Sequence, residues 1–252
     1  MRYDAKRFKS MKICLEEMKK FILNGQHLFT GKPFKNFDDM RSREVLANWL
    51  ICAAQNSVTG SERFTFSSDP IGGDGIIYDL GEGKPYPTEH VLAPRGPKDN
   101  GLSVEDLIIR AIQQKQTKGG AAYASGKTLV VFLEGGDSEW FANRAARLLP
   151  QPLLFEAVWV VGLYRSSEAD YVYFVTSLDI DDGDAPTQLV HIDLNSISWW
   201  VENIQGMPST VFARFLPYWR VSLSEKLALR ASEPAAQASS ALEEPQHSST
   251  KS

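Results

Sequence analysis

Apolar residues recur every three or four positions at Phe8, Met11, Cys14, Leu15, Met18, Phe21 and Ile22, which predicts an amphipathic helix over residues 4–23 stopped by Asn24-Gly25. A loop over 31–39 leads to a second helix over 40–56, with Val45, Leu46, Trp49, Leu50 and Ala53 on its buried face. The period then falls towards two. Alternation at 63–67 predicts a strand, Pro70, Gly72 and Gly73 a turn, 75–80 a second strand, 81–87 a turn and 88–93 a third strand.

Ser103, followed by Glu105 and Asp106, has the chemistry of a helix start, and that helix is expected to reach about residue 118 before a flexible stretch at 119–126. The run TLVVFL at 128–133 is apolar throughout, as in a strand covered on both faces. A helix over 138–149 and a strand over 155–163 complete a strand–helix–strand unit, which implies parallel pairing with a right-handed crossover. Strands at 171–177 and 189–194 flank an acidic loop, and the aromatic-rich stretch 196–219 is expected to close the core as one or two helices. From about residue 231 the chain turns to Ser, Ala, Glu, Gln and Pro, which predicts a disordered tail.

The element order predicts an α/β fold, a mixed sheet flanked by helices. The expected organisation is an N-terminal helix and loop (1–39), a single α/β domain (40–230) and the tail (231–252). A chain of 252 residues with 43% hydrophobic and 23% charged residues is long enough for a substantial core and ordinary in composition for a globular protein. No stretch approaches the ~20 apolar residues of a membrane span, and the charged first 20 residues contain no signal-peptide core. Cys14 and Cys52, both in apolar helical settings, are read as reduced thiols, which places the protein in the cytoplasm. The net charge of −4 is unevenly spread: residues 1–44 hold eleven Lys/Arg against six Asp/Glu, whereas 166–210 hold eight Asp/Glu and no Lys/Arg. A basic front and an acidic back can orient a polyanion, or can simply be two solvated faces.

The candidate chemistry lies at the second and third strands. Asp74 sits in Gly-Gly-Asp-Gly-Ile-Ile and Glu89 in Thr-Glu-His-Val, and a hairpin-like pair of strands can bring the two carboxylates together. Glu44 precedes them on a helix. With the order helix, three strands, helix, strand, these residues resemble the PD-(D/E)XK nuclease superfamily over roughly residues 40–135. The resemblance implies a restriction endonuclease-like αβββαβ core with extra C-terminal strands and helices. It also implies a nuclease that hydrolyses phosphodiester bonds in DNA or RNA, with Asp74 and Glu89 holding Mg²⁺ or Mn²⁺. A hard cation of this kind takes one or two carboxylates together with water and phosphate oxygens.

The superfamily's lysine is expected two positions after the second acid, on the same strand face. Val91 stands there. The superfamily sometimes carries that lysine on the following helix, where Lys115 within Gln113-Gln-Lys-Gln is the candidate, with Gln113 beside it. Glu44, Gln113 and His90 are possible assisting residues, although a regular strand turns His90 to the opposite face. The alternative reading is a nuclease-fold module without catalysis that binds nucleic acid or a protein. A homodimer is compatible with either reading, and the acidic 166–210 stretch suits a basic protein partner.

Other motifs carry less. Gly120 to Thr128 imitates a phosphate-binding loop, but five residues separate its glycines and an apolar strand follows where a helix is required. The acidic run 179–184 imitates a calcium loop with its glycine one place early and Val190 at the bidentate position. The four histidines and two cysteines lack zinc spacing, and no Gly-x-Ser-x-Gly elbow occurs. Trp199, Trp200, Tyr218 and Trp219 suit either base stacking or core filling.

Overall fold

Among the described residues, eight strands follow one another across a single sheet in chain order, so that each strand lies beside its predecessor. The computed structural model describes residues 9–25, 28, 33–93, 101–133, 140–178 and 185–204, and these belong to one compact unit. The expected tail, Tyr218 and Trp219, and the acidic loop 179–184 lie outside the described residues. The described chain is an α/β protein with a mixed, strongly curled sheet and four helices.

Helix α1 (Met11–Leu23) begins at Ser10, whose hydroxyl accepts the Ile13 N–H, satisfying one orphan donor of its first turn. It buries Met11, Cys14, Leu15, Met18 and Ile22. Helix α2 (Ser42–Thr59) is buried on nearly every side, and Gly60 ends it in the left-handed region (φ 64°). The Trp49 indole N–H reaches the Met11 carbonyl at 2.8 Å, tying α2 to α1.

Strands β1 (Phe64–Ser67), β2 (Gly75–Asp79) and β3 (Lys84–Ala93) pair antiparallel. Helix α3 (Val104–Ala124) then crosses to β4 (Thr128–Leu133), which is parallel to β3. A short α4 (Ala142–Arg147) crosses to β5 (Ala157–Ser167), parallel to β4. The remaining strands β6 (Asp170–Leu178), β7 (Thr187–Asp193) and β8 (Ser198–Ile204) add antiparallel. The crossover length that a parallel pair demands is thus met by helices.

The two faces of the sheet are dressed differently. Alternate residues Leu129, Val131, Val158, Val160, Val172 and Phe174 pack with Ile108, Ile112, Ala145 and Ala146 of α3 and α4. The other face curls around α2: the Gln188 side chain donates to the Ala54 carbonyl, and Trp199 meets Trp49 edge to face at 5.2 Å. Asn56 pins the end of α2 to β1 by bonding both the N–H and the C=O of Phe64.

The structure departs from three sequence expectations. Residues 198–204 form β8 and not a helix, because Trp199 turns inward and Trp200 outward, the period of a strand. The stretch 119–126 continues α3 to Ala124 across an irregular Gly120 (φ 68°, ψ −177°). Strand β3 starts at Lys84, inside the expected turn, because Pro85 and Pro87 fit a ladder position that needs no N–H there.

A candidate active site on the helical face of the sheet

Asp69 shapes the approach to β2. Its carboxylate accepts the N–H groups of Ile71 and Gly73, folding the intervening loop so that Asp74 arrives at the start of the strand. Gly75 follows with φ 151°, and a Cβ there would lie 2.5 Å from Asn48 Nδ2. Only glycine fits this junction. Asp74 Oδ2 then accepts the His90 N–H at 2.7 Å, which locks the acid against β3 one step beyond the ladder.

Glu89 lies on the β3 face that looks towards α3, and it is nearly buried. Three groups surround it. Lys115 Nζ is 3.2 Å from Oε2, Lys127 Nζ is 2.7 Å from Oε1, and the Tyr123 hydroxyl donates to Oε2. The same Lys115 ammonium is 3.6 Å from Asp74 Oδ2 and donates to the His90 carbonyl at 3.0 Å. One cation therefore stands between the two carboxylates. Burial and the hydrogen bond to Glu89 push the Tyr123 phenol upward, so it remains a protonated donor.

Two elements supply the cations. Lys115 comes from α3, whose start is fixed by Ser103 and Asp106 capping one another's backbone N–H. Lys127 sits in the turn between α3 and β4, after Gly126 at φ 74°. Its backbone is held by the Ala124 carbonyl and by the Glu156 N–H. Val91, where the resemblance expects a lysine, packs against the core beneath α3 and α4.

The structure thus brings Asp74, Glu89 and Lys115 together. It does not bring Gln113 among them, since that side chain is exposed on α3; Gln116 of the same helix is used structurally, accepting the Leu154 N–H. His90 faces the α2 side, 5% exposed, and burial together with the charges of Lys115 and Arg43 depresses it to about 3. It is a neutral imidazole and its ring is turned away from the acids. Glu44 is also nearly buried, and both its oxygens serve Arg41, one at the backbone N–H and one at the guanidinium. Burial raises its carboxyl, and Asp74 adds repulsion in the same direction.

Sequence reasoning missed Lys127 and Tyr123. Lys127 stood in the discarded phosphate-loop imitation, and its signal was the parallel register: Leu129 of β4 lies beside Glu89 of β3, so a residue two places earlier can reach that carboxylate. Asn48, Thr88 and His90 form a second polar group on the opposite face, with side-chain atoms buried and lacking hydrogen-bond partners among the described residues.

Hard carboxylate oxygens from Asp74 and Glu89 converge on one positive charge, which is the electrostatic demand of Mg²⁺. Among the described residues no group of three or more His, Cys, Asp or Glu could hold a metal. The pair suits an ion that keeps water and takes oxygen from substrate, and does not suit a closed protein cage. No family model, curated protein or solved structure matches this chain.

Proposed function

We propose that the protein is a metal-dependent nuclease of the PD-(D/E)XK type, hydrolysing phosphodiester bonds in DNA or RNA, with a restriction endonuclease-like core formed by α2, β1, β2, β3, α3 and β4. The observation that carries this reading is the position of the Lys115 ammonium between Asp74 and Glu89, delivered from α3 where Val91 leaves the strand without one. The element order and the antiparallel–antiparallel–parallel pairing of β1 to β4 support it.

In this reading Asp74 and Glu89 hold Mg²⁺ or Mn²⁺. When bound, the metal lowers the pKa of coordinated water and stabilises charge on phosphate oxygens. The chain's own residues do the rest. Asp74 is held by the His90 N–H and Glu89 by Tyr123, so neither carboxylate needs to reorganise. Lys115 orients the attacking water, and Lys127, a quarter exposed, faces the phosphate as a point charge.

The test is cleavage of labelled single- and double-stranded DNA and RNA by the purified chain with Mg²⁺, with Mn²⁺ and with chelator. Metal-dependent cutting lost in both Asp74→Ala and Glu89→Ala supports the proposal; no cutting by folded wild-type protein sinks it. One observation favours a second reading, a binding module of the same fold without catalysis. Two lysines already balance two carboxylates, so the cluster is complete as a structural ion network. That reading predicts nucleic-acid or protein binding indifferent to the metal.

A further inference from the structure

A second site lies on the outer strands. The ladder registers place Arg165, Val172, His191 and Trp200 directly opposite one another across β5 to β8. Arg165 joins this row because of a bulge: the register shifts between Leu163 and Arg165, which skips Tyr164 and re-aims the arginine to the face it would otherwise miss. The Trp200 indole lies flat on the His191 imidazole, 3.6 Å between centroids and 9° between planes. His191 is held in turn by Glu202 at 3.1 Å. The imidazole covers one side of the indole, so the 57% exposure of Trp200 belongs to its other side. The open side of the indole offers a plane on which a flat ring can stack.

This plate borders a cavity of about 380 Å³, lined also by Arg165, Ser166, Asp170, Tyr171 and Ser198. The size falls within the range of small-molecule sites. The walls are of three kinds: a stacking plane, a guanidinium, and hydroxyl and carboxylate groups. Asp193, at the rim, is occupied by its own turn, accepting from Asn195 and Ser196. Arg165 and Asp170 are the ionic groups available to an occupant. We propose that the cavity binds one nucleotide unit, its base on Trp200, its phosphate at Arg165 and its sugar hydroxyls towards Asp170. The unit is either a free nucleoside monophosphate or an unpaired nucleotide of a single strand. Glu168 and Glu202 nearby oppose a longer polyanion, which favours a single unit over a duplex.

The site stands apart from the carboxylate pair, and binding is therefore measured with chelator present. The full chain is titrated with AMP, adenosine, ribose 5-phosphate and a short single-stranded oligonucleotide, read by calorimetry and by ligand-observed NMR. AMP is expected to bind. Trp200→Ala should weaken it about 5- to 150-fold, the factor of one stacked base, while Trp200→Phe keeps most of it. Arg165→Ala should weaken AMP and leave adenosine unchanged. An oligonucleotide that binds more tightly than AMP, with the same dependence on Trp200, identifies the unit as part of a strand; equal affinities identify the free nucleotide. The proposal is overturned if AMP and the oligonucleotide both fail to bind at millimolar concentration, if Trp200→Ala binds as well as wild type, or if an arginine-containing peptide binds at Trp200 and nucleotides do not.

Discussion

Lys115 reaches Glu89 from a different element, and its ammonium, 3.2 Å from that carboxylate, lies where the strand itself supplies only Val91. The division of labour has a packing reason. The side chain at position 91 is partly buried against the core that α3 covers, and packing a valine there contributes up to about 1–2 kcal/mol that a lysine would forfeit. A lysine on the rim of α3 reaches the acids without entering the core.

Under the nuclease proposal, replacing Lys115 separates metal binding from chemistry. Lys115→Met removes the charge that competes with a divalent cation for Asp74 and Glu89, so Mg²⁺ affinity should rise by at least about tenfold. Cleavage should fall by about 100-fold or more. Thermal shift against Mg²⁺ concentration checks the first effect, since a ligand of the native state raises the melting temperature by mass action. Equal shifts in wild type and variant would count against the shared carboxylates.

Glu89→Gln should destabilise the protein and, under the nuclease proposal, abolish cleavage. Lys115, Lys127 and the Tyr123 hydroxyl all depend on that carboxylate. Leaving the two partly buried lysines short of an anion should cost about 1–3 kcal/mol. Urea unfolding measures this, and a double variant with Lys127→Met should recover part of the loss.

Gly75→Ala tests the junction that sets Asp74. The new Cβ would sit 2.5 Å from Asn48 Nδ2 and 2.9 Å from Met40 Cε at φ 151°. A loss of about 2–4 kcal/mol is expected, with cleavage reduced beyond what stability explains because the neighbouring acid shifts.

His90 makes stability depend on acid. Its folded-state pKa of about 3 lies below the unfolded value of 6.5, so below pH 6.5 the unfolded chain takes up a proton that the native chain refuses. Burial opposes protonation most, the charges of Lys115, Arg43 and Arg41 add to it, and Glu89 favours protonation. The contribution is fully present above 6.5 and is lost as pH falls towards 3, at about 1.4 kcal/mol per unit. His90→Leu should remove that slope between pH 4 and 6 in denaturant titrations, at little cost near neutrality because the ring nitrogens have no hydrogen-bond partner among the described residues.

The legible part of the site was local. Asp74 and Glu89 face one another across a short hairpin, and turn residues reveal a hairpin without any knowledge of the rest of the sheet. Lys115 comes only from the resemblance, which allows the lysine on the following helix where the strand carries Val91. Lys127 and Tyr123 depend on features with no one-dimensional signature: the parallel register of β3 with β4, and the break at Gly120 that redirects the end of α3. The same limit explains β8. A Trp-Trp pair reads equally as a helix stripe or as one residue on each side of a strand, and only pairing with β7 decides between them.

The sequential strand order also bears on how the chain assembles. Every strand finds its partner in the next segment of the chain, so loop closure is short at each step, and neither crossover threads past a strand already placed. Helix α2 precedes all eight strands and ends up in their hollow. We expect it to act as a template, with hairpins zipping on in succession and the sheet curling as each new strand meets it. Amide exchange during refolding should then protect α2 with β1 to β3 before β7 and β8.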